Sequence, residues 1–349
     1  MFVAWRDLRV ARGRFALIAG VVALITVLVG FLSGLTGGLA AQNVSAVLNL
    51  DATRIVTAGG AESFADSSLT ADQIALWQRA GAEIDPLGIS QLRARHGDTS
   101  AGIALFGATT ALDPAVPAAA GTVSLSEDAA AALNAGVGDP VQIAGSSYPV
   151  GSVTPSAWYS HTPVVWLTLA DWQQISATTG AGDTVATVVV ARGDADWSAI
   201  DAVAGTQSAG VLQSLPLIGA FKSEIGSLGL IIGLLFAISA VVVGAFFVIW
   251  GMQRRGDVAI LKALGAANGS LRKDSLGQAA VVLAVGVGLG TAVVVAAGLA
   301  LPRAVPFLLS PLTTLLPAAL LIALGLIGAV LALRPVTSAD PLTALGSNR

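Results

Sequence analysis

The sequence predicts an α-helical membrane protein with four transmembrane helices, one plus three, and an α+β extracellular domain inserted between the first and the second. Three observations predict it. First, apolar runs at 15–41, 225–250, 276–301 and 313–333 each reach the about 20 residues a helix needs to cross a bilayer. Second, a long polar stretch separates the first run from the second, whereas the last three are clustered. Third, the charges are sorted. Residues 1–14, 251–275 and 334–349 together hold 11 of the 18 Lys and Arg but 4 of the 21 acids, and residues 42–224 hold 6 basic and 17 acidic residues. Lys and Arg are retained on the cytoplasmic side. The expectation is therefore a multi-pass plasma-membrane protein with both termini and the 251–275 loop inside and the acidic middle outside.

Composition narrows the function classes. Of 349 residues, 54% are hydrophobic and 11% charged, and 40 are glycine, as expected where membrane helices pack closely. There is no cysteine, so neither a disulfide framework nor thiol chemistry is available. The first run is too long for a signal-peptide core and lacks a following A-x-A site, which favours an uncleaved span. No G-x-x-x-x-G-K-[ST] occurs, so ATP cannot be handled in the usual P-loop manner. No nucleophile–base pair or metal cluster is visible, and nucleic acid is not an expected partner. The spans carry no ionisable residue at mid-membrane, which argues against a proton-coupled carrier.

In chain order, residues 1–14 read as a cytoplasmic amphipathic helix with Phe2, Trp5 and Leu8 on one face and arginines over the rest. The first span, 15–41, carries Gly30, Gly34 and Gly38, four residues apart and so on one face, with Ser33 beside them. Such a face admits another backbone. It packs either on a helix of the same chain or on a second copy. The extracellular domain, 42–222, alternates strands at 53–57, 86–93, 101–108, 141–144, 148–153, 164–168 and 185–192 with helices at 70–79, 127–134, 170–177 and 197–203. Thr70 and Ser126 are the expected N-caps, and Gly81 and Gly136 the expected terminators. The second span is 223–251, followed by a cytoplasmic loop, 252–275. The third span is 276–301, a short outer loop with three prolines covers 302–312, the fourth span is 313–333, and a cytoplasmic tail takes up 334–349.

The cytoplasmic loop reads Gln253-Arg-Arg-Gly-Asp-Val-Ala-Ile-Leu-Lys-Ala-Leu-Gly-Ala-Ala, and the tail Arg334-Pro335 … Asp340-Pro-Leu-Thr-Ala-Leu345. Both resemble the FtsX/MacB-type ABC transporter permeases, with Asp257 where Glu is usual and Gly346 where a base is usual. In the outer domain, Leu125-Ser-Glu-Asp-Ala … Gly136-Val-Gly-Asp-Pro-Val-Gln-Ile is similar to the same family. The first span and its exit, Gly13-Arg-Phe … Gly30-Phe-Leu-Ser-Gly-Leu-Thr-Gly-Gly-Leu-Ala-Ala-Gln-Asn-Val-Ser, are most similar to the haem-exporter (HrtB-like) branch.

The resemblance implies a permease that works with a separate cytoplasmic ATPase dimer, which carries ATP and Mg, and with a second copy of itself in membrane lipid. The chain would hold no cofactor of its own, and haem would be a possible substrate. The loop would supply the coupling helix. From Asp257 onward, Val258, Leu261, Ala263 and Leu264 make an apolar face that needs a partner groove, Arg254, Arg255 and Lys262 stay solvated, and Gly265 ends the helix. The substrate or dimer seam would include Gly30, Ser33, Gly34, Gly38 and Glu224, whose carboxylate could bind a cation or iron, and Lys222, which could pair with a propionate or lipid phosphate. His96 and His161 are widely spaced and make a weak metal site; the segment Trp158–His161 reads as exposed and aromatic. The rival expectation is a transmembrane regulator like FtsX proper, passing ATPase motion to an extracellular cell-wall hydrolase without transport.

Overall fold

The computed structural model describes residues 12–180, 184–253, 267–302 and 305–337. The expected amphipathic N-terminal segment up to residue 11, the coupling residues Arg254, Arg255, Asp257, Val258, Leu261, Lys262, Leu264 and Gly265, and the tail from 338 lie outside the described residues. The chain divides into two units: residues 39–226, and residues up to 38 together with those from 227 onward.

Four helices are long and apolar enough to cross a membrane. They belong to α1 (Arg12–Leu48), α7 (Gly219–Gln253), α8 (Asn268–Ala300) and α9 (Pro311–Thr337). Within the helical unit, close contacts set the order and direction of packing. Gly286 and Gly290 of α8 lie against Ala19, Val22, Ala23 and Thr26 of α1, and Gly30 of α1 lies against Val294 of α8. Numbers rise together on both helices, so α1 and α8 run parallel. Phe15 of α1 meets Trp250 of α7 edge to face, with ring centroids 6.1 Å apart, and Gly325 of α9 receives Leu283 of α8. Phe15 is at the start of α1 and Trp250 at the end of α7, and the later Thr291 and Val294 of α8 line one small cavity with the earlier Thr314 and Ala318 of α9, so α7 runs antiparallel to α1 and α9 to α8. Ends 15, 250 and 268 therefore share one side of this unit, which is the arrangement four consecutive spans require.

The glycine face of α1 is filled from within the chain. Gly34 lies under the ring of Phe307, Gly37 meets Thr313, and Gly38 touches the backbone of Pro306. The Gly34 carbonyl accepts the Leu308 N–H at 3.0 Å, and Phe31 packs on Phe307 with centroids 4.9 Å apart. Ser33 is buried. These contacts are all made within the chain.

The other unit is an α+β domain. Its strands are β1 (Arg54–Ala58), β2 (Glu83–His96), β3 (Thr99–Ala108), β4 (Val123–Ser126), β5 (Pro140–Ile143), β6 (Ser146–Thr154), β7 (Trp158–Tyr159), β8 (Thr162–Thr168), β9 (Val188–Arg192) and β10 (Thr206–Gly210). Its helices are α2 (Ala71–Arg79), α3 (Glu127–Leu133), α4 (Leu169–Thr178), α5 (Trp197–Ala204) and α6 (Val211–Ser214). The long strand β2 belongs to two systems. Its first half pairs with β9, which continues through β1 to β10. Its second half pairs with β3, and the path β3-β8-β4-β6-β5 returns to β2, closing a small barrel. Closure removes the exposed edges that an open sheet would present.

Each expected strand and helix is present, and the expected caps work. Thr70 accepts from the Gln73 N–H while Gln73 reaches back to the Thr70 N–H, a reciprocal capping box, and Ser126 caps α3. One terminator differs: Asn134 itself takes the left-handed conformation that ends α3, so Gly136 is not needed there. Where β2 and β3 pair Gly88 with Gly107, the absent side chains leave a notch for Trp172, whose indole N–H donates to Ser90 Oγ at 2.9 Å.

The packing predicts opposite signs for two glycine changes. A Cβ at Gly38 would meet the Pro306 carbonyl, whereas one at Gly233 meets nothing within 4 Å. Thermal unfolding of the full chain in detergent is expected to show G38A destabilised by about 1–3 kcal/mol and G233A stabilised by about 0.5–1 kcal/mol.

Candidate functional site

The α+β domain brings together three polar side chains from far apart in sequence. Asn43 comes from the last turns of α1, His161 from the turn between β7 and β8, and Glu224 from the second turn of α7. All three lie in the same unit. Asn43 Nδ2 donates to Glu224 Oε2 at 3.0 Å and to the Leu39 carbonyl at 3.1 Å. His161 Nε2 is 2.7 Å from Glu224 Oε1, so with Glu224 ionised the proton sits on Nε2 and is donated. The two donors approach to 3.1 Å of each other. Glu224 is thus gripped by one donor on each carboxylate oxygen. A carboxylate removed from bulk water needs such donors to stay ionised at acceptable cost.

Local structure explains why His161 reaches. The connection between β7 and β8 is a two-residue turn, Ser160–His161, with φ of 47° and 62°. A tight hairpin turn of this hand needs positive φ at both positions and favours Asn and Gly. Serine and histidine pay for that conformation, so other contacts must hold them. The Ser160 N–H donates to the Asn43 carbonyl and the His161 N–H to the Gln42 carbonyl, both at 3.0 Å. The Trp158 N–H donates to Ser45 Oγ at 2.9 Å, and its indole N–H to Asp128 Oδ2 at 2.8 Å. Tyr159 is buried against Phe64 and Phe106, and burial pushes its phenol pKa far up, so it stays protonated. The segment read as exposed and aromatic is therefore mostly docked. His161 is the part that stays open: its side chain is 32% exposed and that of Glu224 34%, so a ligand can approach both.

The cluster carries a defect. Asn43 Oδ1 is buried and accepts no hydrogen bond among the described residues. An orphaned buried acceptor costs about 1–3 kcal/mol.

The other expected site residues make none of these hydrogen bonds. Lys222 is exposed, and residues two apart on a helix do not face each other, so it does not share the Glu224 surface. Gly30, Ser33, Gly34 and Gly38 belong to the helical unit and pack there as described above. His96 meets the Asn134 carbonyl at 3.1 Å. Among the described residues no group of three or more His, Cys, Asp or Glu could hold a metal ion. Asn43 was not anticipated as a site residue. Its signal was a polar Gln-Asn pair just past the end of an apolar run, which gives no hint of a partner 181 residues away.

The cluster predicts an order of damage. N43A leaves the Glu224 oxygen and the Leu39 carbonyl each short of a donor and is expected to cost about 1–3 kcal/mol. N43D adds a like charge next to Glu224 and is expected to cost more at pH 7. Thermal unfolding of the two variants beside the parent checks the ranking.

Comparison with known proteins gives a consistent picture. Residues 229–341 match the FtsX-like permease C-terminal family. Over its whole length the chain is 23% identical to a Staphylococcus epidermidis protein named as a hemin transport system permease protein, HrtB, across 370 aligned residues and 100% of both chains. A Staphylococcus haemolyticus protein of the same name is 25% identical over 355 residues, covering 99% of both chains. Among solved structures, the periplasmic region of MacB from Actinobacillus actinomycetemcomitans aligns with 49% of this chain and 94% of its own, at 12% identity and a TM-score of 0.35. The resemblance to FtsX/MacB-type permeases read from the loop and the tail is thus matched by the family comparison over the whole loop and the first half of the tail.

Proposed function

We propose that this membrane protein, an FtsX-like permease subunit of an ABC transporter, drives export of a hydrophobic or amphipathic cargo, with haem as the favoured one. The observation that carries this reading is the end-to-end similarity to proteins named as hemin transport permeases. The N-terminus, the 251–275 loop and the C-terminus are cytoplasmic in this reading, because the basic residues gather there. The parallel course of α1 and α8 supports the same side for residue 15 and for the start of α8. ATP is bound and hydrolysed, with Mg, on a separate ATPase dimer. That dimer grips the apolar face of Val258, Leu261 and Leu264, and two permease copies together form the path. Motion of this loop is passed on to the outer domain, and cargo leaves outward.

Glu224 is the residue we assign to cargo recognition. It offers an accessible carboxylate, a hard oxygen donor suited to a ferric centre, and it is already held in a fixed orientation. Lys222 is assigned to an anionic group of the cargo or to a lipid phosphate. Its exposure supports this.

The experiment is co-purification with the cognate ATPase, followed by hydrolysis in lipid with and without hemin and a visible spectrum. Hemin-stimulated hydrolysis with a Soret band that weakens in E224A is the expected outcome. Hydrolysis indifferent to hemin, with no bound pigment, would remove haem as cargo. A second expectation concerns the loop: L261D places a charge on the coupling face and should abolish co-purification of the ATPase while the permease still folds.

A further inference from the structure

Each oxygen of Glu224 already accepts one internal hydrogen bond before any cargo arrives. Asn43 holds one oxygen and His161 the other, at 3.0 and 2.7 Å. A cation that takes this carboxylate competes with these donors for its charge, and His161, partly exposed where Asn43 is buried, is the one it meets first. His161 also anchors a hairpin whose turn holds two non-glycine residues at positive φ. The docked state further carries the orphaned Asn43 oxygen. Such a state is held closed against its own costs, and removal of one bond favours release. The carboxylate sits near the start of α7, the helix that the coupling loop follows in sequence.

We propose that Asn43, His161 and Glu224 form a cargo-released latch. Closed, Glu224 accepts from both donors, and the Trp158–His161 hairpin stays on α1 through the Ser160 and His161 N–H groups. When Glu224 turns to the cationic centre of an amphipathic cargo, His161 loses its acceptor and the hairpin is freed, and this release raises ATP turnover by the partner. No covalent bond within the protein changes; Glu224 exchanges a hydrogen-bond donor for a cation. Cargo release of the latch rests on the assignment of Glu224 to cargo. The closed latch itself does not.

The test uses the full chain with its ATPase in lipid. Hydrogen exchange at the Ser160 and His161 amides is measured without hemin in the parent, in H161N and in E224A. Asparagine tolerates the left-handed backbone at position 161, so H161N removes the imidazole and spares the turn; E224A removes the acceptor from a partly exposed position. Both variants should speed exchange at the hairpin about tenfold, leave β3 unchanged, and raise hemin-free hydrolysis several-fold. A merely structural contact would loosen the hairpin without raising turnover. Exchange or basal hydrolysis unchanged in both variants would overturn the latch. Failure of the haem reading is seen separately: hemin would neither stimulate the parent nor loosen its hairpin, while H161N would still show raised basal turnover.

Discussion

A domain inserted between two helices has to return the chain to where it left. Bringing the ends of a long loop together costs entropy that grows with the logarithm of its length. In this protein the first and last strands of the insertion, β1 and β10, pair with each other, and beyond them Asn43, on α1, donates to Glu224, on α7, 181 residues later. His161 from the hairpin completes the grip. The core beneath supports it, with Tyr159, Phe64 and Phe106 in one apolar cluster with Val44 and Val47 of α1. The hydrogen-bonded cluster thus sits where the two ends of the domain come together. That is why a small change there is expected to be felt widely.

Much of this architecture was legible because its signals are local. A bilayer demands long unbroken apolar runs, and the four runs announce themselves. The strands that pack on the barrel core alternate or run apolar, and Thr70 and Ser126 mark helix starts. The missed strands are the ones with weak local signals. β7 has two residues, β10 reads Thr-Gln-Ser-Ala-Gly, and β4 is four residues leading directly into a helix. Their pairing is set by neighbours distant in sequence, which no window of residues contains.

The candidate site shows the same division. Glu224 was visible as a carboxylate next to an apolar run, and His161 as one of two histidines. That they meet, and that Asn43 joins them, depends on the barrel placing the β7–β8 turn beside α1. The glycines at 30, 34 and 38 were legible as a close-packing face, but not by what they would pack against. Phe307, Pro306 and Val294 of the same chain fill that face. This shifts attention from the glycines to Glu224 as the distinctive polar feature.

The central claim is that His161 and Glu224 are energetically coupled, and a double-mutant cycle on the unfolding of the full chain tests it most directly. H161N, E224A and the double variant should give a coupling of about 0.5–3 kcal/mol, the range for residues sharing one hydrogen-bonded network. Additivity within about 0.3–0.5 kcal/mol, as for independent sites, would contradict the account.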